Sequence, residues 1–169
     1  MPIPIKGSYP AYYEKYIDQI IETNVMDAIH AQQDNIEKFL QSVSEEKSMF
    51  AYAEGKWTLK ELLQHVTDTE RVFIYRAMCV ARGEKQSLPG FDEDMYAANS
   101  NANARSWKSL AEEFLAVRLS SRLLFESFTE EMLNQSGTAN NKPIHVNAIG
   151  FILVGHALHH MQIARERYF

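Results

Sequence analysis

The sequence predicts an all-α fold, a four-helix bundle of the up-down-down-up type with a long irregular connection and short extra helices. Four long segments place apolar residues at helical spacing, and turn residues separate them. Two of these segments open with a capping box, and no segment shows sustained strand-like alternation between hairpin turns. A chain of 169 residues is the size of one ordinary domain. We therefore expect a single domain over residues 1–169.

The chain opens with an irregular arm, because three prolines lie among its first ten residues. Apolar and aromatic residues over 13–21 then predict a short helix. Asn24 is a candidate N-cap for the first main helix, whose apolar residues follow one side and which we expect to end near Ser44.

The second main helix has the clearest start in the chain. Thr58 is a good N-cap, and Glu61 stands three residues later, so the two form a capping box. The apolar periodicity then continues over 59–82, and Gly83 is the expected stop. The turn-rich stretch that follows is long for a loop, so we expect a short helix near 92–98 inside it.

The third main helix is predicted to open at Ser109, with Glu112 completing a second capping box. It ends before Gly137. A polar link over 138–143 then leads to the last main helix, which is expected to run from about Asn147 to near the C-terminus.

Composition excludes several classes of function. The net charge is −5 and there is no cluster of Lys and Arg, whereas sequence-independent nucleic-acid binding needs a cationic face. No apolar run approaches the ~20 residues that span a bilayer, and the first residues lack the features of a signal peptide. The single cysteine, Cys79, cannot form an internal disulfide. A cytoplasmic protein that binds neither nucleic acid nor membrane is therefore expected.

Histidines carry the strongest chemical signal. His156 and His160 are four residues apart, which puts them on one face of the last helix within its apolar stripe. His65 is expected to face inward from the second helix. Buried polar groups need partners, and a divalent metal accepts a lone pair from each neutral imidazole. Three histidines leave a coordination position open, as catalytic metal sites do.

Two alternatives stay open at this point. An inward histidine is often a hydrogen-bonded core residue, and a pair four apart also arises by chance. His159 competes with His160 for ligation, although a pair at i and i+4 chelates with less strain. His159 is then expected to orient a ligand or contact substrate. We expect His30 to be solvated and His145 to serve a turn.

The residues around these histidines are similar to the signatures of one family. Residues 56–65 read KWTLKELLQH, and residues 155–163 read GHALHHMQI, followed by ERY at 166–168. The first segment resembles the helix-two signature of the DinB/YfiT-like superfamily, and the second resembles its helix-four signature. The resemblance covers nearly the whole chain, and the two motifs together are more specific than either alone.

The resemblance implies a four-helix bundle with a metal, often nickel or zinc, held by three histidines. Residue by residue, these ligands correspond to His65, His156 and His160. Members of known activity include thiol-dependent S-transferases and isomerases, and many others are described as metal-dependent hydrolases. Members often form dimers, so a homodimer is expected, with aromatic residues such as Phe50 of the connections as candidates for its interface.

A metal-activated nucleophile needs a proton acceptor nearby. Asp68, three residues after His65, is the candidate catalytic residue, as a base or as the group that orients an imidazole. An exposed carboxylate is the alternative for Asp68, and Glu61 is already explained by the capping box. Arg76 is expected in a salt bridge at the bundle end, and Trp57 in the core.

Three function classes follow. The leading hypothesis is a metal-dependent enzyme of the thiol S-transferase type, acting on a small molecule with a low-molecular-weight thiol as partner. The alternatives are a metal-dependent hydrolase and a non-enzymatic metal-binding stress protein. Membership of a family predicts the fold of a protein more reliably than it predicts the reaction that the protein catalyses.

Overall fold

Helices dominate the computed structural model, which describes residues 2–169. Short 3-10 turns at Ala11–Tyr13 and Ala102–Ala104 accompany the main elements. In chain order these elements are α1 (Glu14–Ile17), α2 (Val25–Ala31), α3 (Gln33–Ser42), α4 (Glu45–Ser48), α5 (Leu59–Ala81), α6 (Glu93–Asn99), α7 (Trp107–Glu126), α8 (Glu130–Asn134), β1 (Ser136–Ala139), β2 (Lys142–His145) and α9 (Val146–Arg167). None of the helices within residues 2–169 is long and apolar enough to cross a membrane.

Contacts along the second and third main helices, α5 and α7, show that they are parallel. Lys60, at the start of α5, donates to the carbonyl oxygen of Arg105, just before α7 begins. Further along both helices, Glu70 pairs with Arg118 at 2.8 Å. Early residues therefore meet early residues, and late residues meet late ones.

The first main helix consists of α2 and α3, and it runs parallel to the last one, α9. Gln32, between α2 and α3, donates to the carbonyl oxygen of Val154 at 2.7 Å. Later in both helices, the guanidinium of Arg165 lies over the ring of Phe39. These contacts advance in the same direction along α3 and α9.

Helix α9 is antiparallel to α5. His160 lies beside His65 near the start of α5, with ring centroids 4.9 Å apart, whereas His156, earlier in α9, reaches Phe73 later in α5 at 6.1 Å. The four main helices therefore follow an up-down-down-up order, which confirms the predicted fold class.

Two predicted helix starts are confirmed and one is wrong. The side chain of Asn24 accepts from the backbone N–H of Met26, and both hydrogen bonds of the Thr58–Glu61 capping box are present. Helix α7 begins at Trp107 instead of Ser109, because Ser106 is its N-cap and accepts from the N–H of Ser109. It ends at Glu126, and the separate short helix α8 follows.

The polar link predicted over 138–143 is a β-hairpin. Strands β1 and β2 are antiparallel, with Ser136 opposite His145. Asn140 and Asn141 form the turn with φ of 49° and 57°, as a two-residue hairpin turn of the primed type requires. Leu88 exchanges backbone hydrogen bonds with Thr138 and Asn140. The hairpin therefore holds the connection between α5 and α6 in place at Leu88.

Two apolar clusters fill the bundle on either side of a polar layer. In α9, the first cluster ends at Val154 and the second begins at Ala157. His156 lies between them and is buried. At the same level, Glu70 and Arg118 form a buried ion pair between α5 and α7. The fold thus places its main polar groups at mid-height in the core.

Candidate metal centre

Three imidazoles converge between α5 and α9. Nε2 of His156 lies 3.2 Å from Nε2 of His65 and 3.1 Å from Nε2 of His160. One ligand atom from each of the three residues lies within 4.8 Å of the others. The structure thus brings together the three histidines that the sequence singled out.

Helix geometry places these side chains. His156 and His160 are one turn apart in α9, so both rings leave the same face of the helix. His65 belongs to the second turn of α5, whose start is fixed by the Thr58–Glu61 capping box. The antiparallel packing of α5 on α9 then brings His65 opposite the pair.

Burial keeps the three imidazoles neutral at neutral pH. It lowers the pKa of His65 to about 4 and that of His160 to about 3. The pKa of His156 also lies well below its ordinary value, because of burial first and the neighbouring histidines second. Neutral imidazole is the form that binds a metal ion, since its lone pair is free.

The nitrogen spacing fits a small divalent cation. Tetrahedral Zn–N bonds of 2.0–2.1 Å would place two ligand nitrogens about 3.3 Å apart, close to the two distances found here. With its N–H at Nδ1, a neutral imidazole presents a lone pair at Nε2, so the three Nε2 atoms can bind one cation together. The donor set and its geometry therefore fit a metal ion.

Aromatic side chains wall the cluster. The ring of Trp57 lies 4.8 Å from that of His65, and Tyr16 packs edge-on against His156 at 5.4 Å. Phe73 adds a third ring beside His156. Trp57 therefore packs against a site residue as well as the core. His65 and His156 are only 6% exposed, so these aromatic rings shield both imidazoles from water.

Sequence reasoning did not place Tyr16 at this site. Its helix, α1, docks so closely on α9 that a Cβ at Gly155 would lie 2.1 Å from the carbonyl oxygen of Tyr16. A glycine directly before His156 was the available signal, because small helix residues permit close backbone approach.

Asp68 makes its hydrogen bonds away from the histidines. Its carboxylate accepts from Gln64 at 2.9 Å and from Arg71 at 3.2 Å. Asp68 also borders a separate surface cavity next to Tyr96. A role of Asp68 in proton transfer stays a prediction, and its polar contacts are with Gln64 and Arg71 instead of with an imidazole.

The remaining candidates lie outside the convergent cluster. His159 is half-buried, with its ring 5.3 Å from both Tyr16 and His160. His30 is exposed beside Glu126, as expected, and His145 ends β2. Cys79 is partly buried against the apolar core.

The predicted salt bridge of Arg76 is not formed within residues 2–169. Instead its guanidinium donates to the carbonyl oxygen of Pro89 at 2.7 Å. The connection after α5 folds back over Arg76, which helical spacing could not show.

Comparisons with known proteins agree with this architecture. A model of the DinB superfamily matches residues 28–164. Among solved structures, the chain is similar to YfiT from Bacillus subtilis, described as a probable metal-dependent hydrolase with an unusual four-helix bundle topology. That match has a TM-score of 0.71 and 14% identity, over 96% of this chain and 91% of YfiT.

A second similar structure is a mycothiol-dependent maleylpyruvate isomerase, with a TM-score of 0.67 and 11% identity over 89% of this chain. A histidine-to-alanine mutant of such an isomerase matches with a TM-score of 0.66 and 11% identity, over 85% of this chain and 59% of the mutant. This chain spans 60% of the isomerase. Identities this low show a shared fold. No curated protein matches the sequence.

Proposed function

The chain belongs to the DinB superfamily, and from this premise we propose that it holds one divalent metal ion between His65, His156 and His160. We further propose that it is a metal-dependent enzyme of the thiol S-transferase type that acts on a small molecule. The observation that carries the proposal is the convergence of three imidazole nitrogens within 4.8 Å, from the buried His65 and His156 and the partly buried His160.

The three imidazole ligands limit which metal ions the site can bind. Imidazole ligands suit zinc, copper, iron and nickel, whereas magnesium and calcium prefer oxygen. Among these ions we propose nickel or zinc, because they are the metals that the family resemblance implies. A divalent ion bound by three protein ligands would acidify a water or a thiol in the open position, which makes it nucleophilic near neutral pH.

The protein supplies neutral imidazole ligands and aromatic side chains that shield two of them from water, and it leaves the third ligand more exposed. Trp57 and Tyr16 shield His65 and His156. His160 is more exposed than either, and the half-buried His159 lies next to it. A small molecule would therefore approach the centre past His159 and His160, and His159 is suited to contact it.

A hydrolase is the second candidate. It is favoured by the similarity in fold to YfiT, a probable metal-dependent hydrolase, over nearly the full length of both chains. The thiol-transferase proposal is favoured by the fold shared with a mycothiol-dependent isomerase. The two differ in the nucleophile, which is a thiolate in one case and a water in the other.

Elemental analysis of the purified protein tests the metal. One divalent ion per chain, lost in a His160→Ala variant, is the expected result. Apo protein that neither retains nor rebinds zinc or nickel would overturn the proposal. Binding to the native state must also raise the melting temperature in excess metal.

Turnover assays then separate the reactions. The metal-loaded protein is incubated with monochlorobimane, with and without cysteine as the thiol, and separately with para-nitrophenyl acetate. Thiol-dependent consumption of the bimane supports the transferase, and thiol-independent ester cleavage supports the hydrolase. A metal-loaded protein with no turnover in any arm would favour the third class, a non-enzymatic metal-binding protein.

A further inference from the structure

A second cavity, of about 430 Å³, lies away from the histidine cluster. It opens between the first 3-10 turn, the last turns of α5, the connection that follows α5 and the β-hairpin. This volume falls within the range of small-molecule sites. The side chains that give it chemical character are Tyr12, Tyr13, Phe91, Arg76, Lys142 and Glu93.

Arg76 is the unusual member of this wall. It is only 4% exposed, and within residues 2–169 no carboxylate lies within ion-pairing distance of it. Its Nε is buried and has no hydrogen-bond partner in the described part of the chain. Buried charges are normally paired, because desolvation of an unpaired ion is costly. The other deeply buried arginine, Arg118, follows this rule through Glu70.

The protein holds Arg76 at the cavity wall by a neutral contact. Its Nη2 donates to the carbonyl oxygen of Pro89 at 2.7 Å, which satisfies one donor without neutralising the charge. Burial raises the pKa of the neighbouring Tyr13 phenol, and the Arg76 charge opposes that shift. Tyr13 therefore remains a neutral phenol beside the cation at neutral pH.

The remaining charges of the wall are on its exposed rim. Lys142 in β2 adds a second cation, and Glu93 at the start of α6 adds one carboxylate. Both are exposed to solvent, where water screens them. The buried Arg76 is screened least, so the part of the cavity beside Arg76 favours an anion.

We propose that this cavity is an anion-binding site, in which Arg76 binds the carboxylate or phosphate group of a small molecule. A guanidinium binds both groups through charge-assisted hydrogen bonds. The rings of Tyr12, Tyr13 and Phe91 supply flat apolar surface for the rest of the ligand. The predicted ligand is therefore a small anion with an apolar or aromatic body.

The site deepens the proposed function in one respect. Arg76 follows His65 by 11 residues, or ~16 Å along the axis of α5, and nearly on the same side of it. A substrate or thiol with an acidic group would be held there, and this connection rests on the proposed function. Anion binding itself needs no metal, so the two proposals can fail independently.

The test uses benzoate as the probe, titrated into metal-free full-length protein and followed by NMR chemical-shift changes. Benzamide is the neutral isostere, and phenyl phosphate compares the two anionic groups. We expect benzoate or phenyl phosphate to bind at least tenfold more tightly than benzamide, with shifts centred on Tyr13 and Phe91. If benzamide binds as tightly as benzoate and phenyl phosphate, the proposal is overturned, and no variant is needed for this conclusion.

Variants then assign the charge. Arg76→Gln should weaken anion binding tenfold or more, and Arg76→Lys should retain most of it. Arg82→Gln is the matched control, because Arg82 lies at the end of the same helix and is exposed. If Arg76→Gln binds benzoate as well as the native protein, or if Arg82→Gln loses as much, the assignment to Arg76 is wrong.

Discussion

Each of the three histidines has its Nε2 within 3.2 Å of another imidazole nitrogen, and His65 and His156 are buried. Their side chains cannot satisfy one another fully, and Nδ1 of His160 is also buried without a partner in the described residues. Such a cluster costs stability unless a cation joins it. The metal-binding proposal and two predictions about single residues follow from these incompletely satisfied nitrogens.

The first prediction concerns the ligands. His160→Ala should abolish tight binding, because it breaks the chelating pair of α9, whereas His65→Ala should weaken binding and leave that pair. Isothermal titration with zinc measures both. His30→Ala is the control and should bind like the native protein. If His159→Ala removes the metal and His160→Ala does not, the ligand pair has been chosen wrongly.

The second prediction concerns acid stability of the metal-free protein. Burial lowers the pKa of His65 to about 4 and that of His160 to about 3, against about 6.5 in the unfolded chain. Between these values the unfolded state binds more protons, so the free energy of unfolding falls as pH falls below about 6.5. Each histidine contributes about 1.4 kcal/mol per pH unit inside that window.

Urea denaturation at pH 7 and pH 5.5 measures this loss. A free energy of unfolding that stays constant over this interval would contradict the lowered pKa values.

Close packing of α1 on α9 is the main feature at the scale of elements. The backbone of Tyr16 lies against Gly155, and the ring of Tyr16 covers His156. A glycine inside a helix costs about 1 kcal/mol relative to alanine. At position 155 the absence of a side chain permits the backbones of α1 and α9 to approach closely. Helix α1 can then cover the candidate site.

The third prediction follows. Gly155→Ala should destabilise the protein by about 1–3 kcal/mol, because its Cβ would meet the backbone of Tyr16 and overpack the contact. Without that clash, the same change in a helix would stabilise it. Chemical denaturation gives the sign. A more stable Gly155→Ala variant would show that α1 does not pack as described.

At the scale of the whole molecule, one polar layer connects all four main helices. Arg118 in α7 pairs with Glu70 in α5 and donates to Gln32, at the end of α2, which in turn donates to Val154 in α9. Ser121 donates to Glu70. These hydrogen bonds fix the register of the helices at the level of His156.

The fourth prediction tests this layer. Arg118→Met should cost about 3–5 kcal/mol, because it leaves Glu70 as an unpaired buried charge. The double variant Glu70→Leu/Arg118→Met should be less destabilised than the sum of the two single variants. Urea denaturation of all three measures the coupling. Strict additivity would mean that the pair does not act as a unit.

The fifth prediction concerns assembly. Phe50 is 44% exposed, and the homodimer expected from the family resemblance would cover such aromatic surface. Light scattering at tens of micromolar should report a dimer, and Phe50→Ser should shift the protein toward monomer. A monomer at all concentrations would contradict this prediction.

Local features of the fold and of the site could be predicted from the amino-acid sequence. The caps at Asn24 and Thr58, the helical stripes and the spacing of His156 and His160 depend on residues within a few positions of one another, and the structure reproduces them. The start of α7 was missed because Ser106 and Ser109 are equally good local caps.

Features that depend on contacts between distant residues could not be predicted in this way. The hairpin was not predicted, because each of its strands has four residues, too few to show an alternation of apolar and polar side chains. Tyr16 at the wall of the histidine cluster and Arg76 under Pro89 are brought there by the docking of α1 and of the connection after α5. Periodicity assigns a side chain to a face of its own helix, but only the packing of separate segments determines which groups meet there.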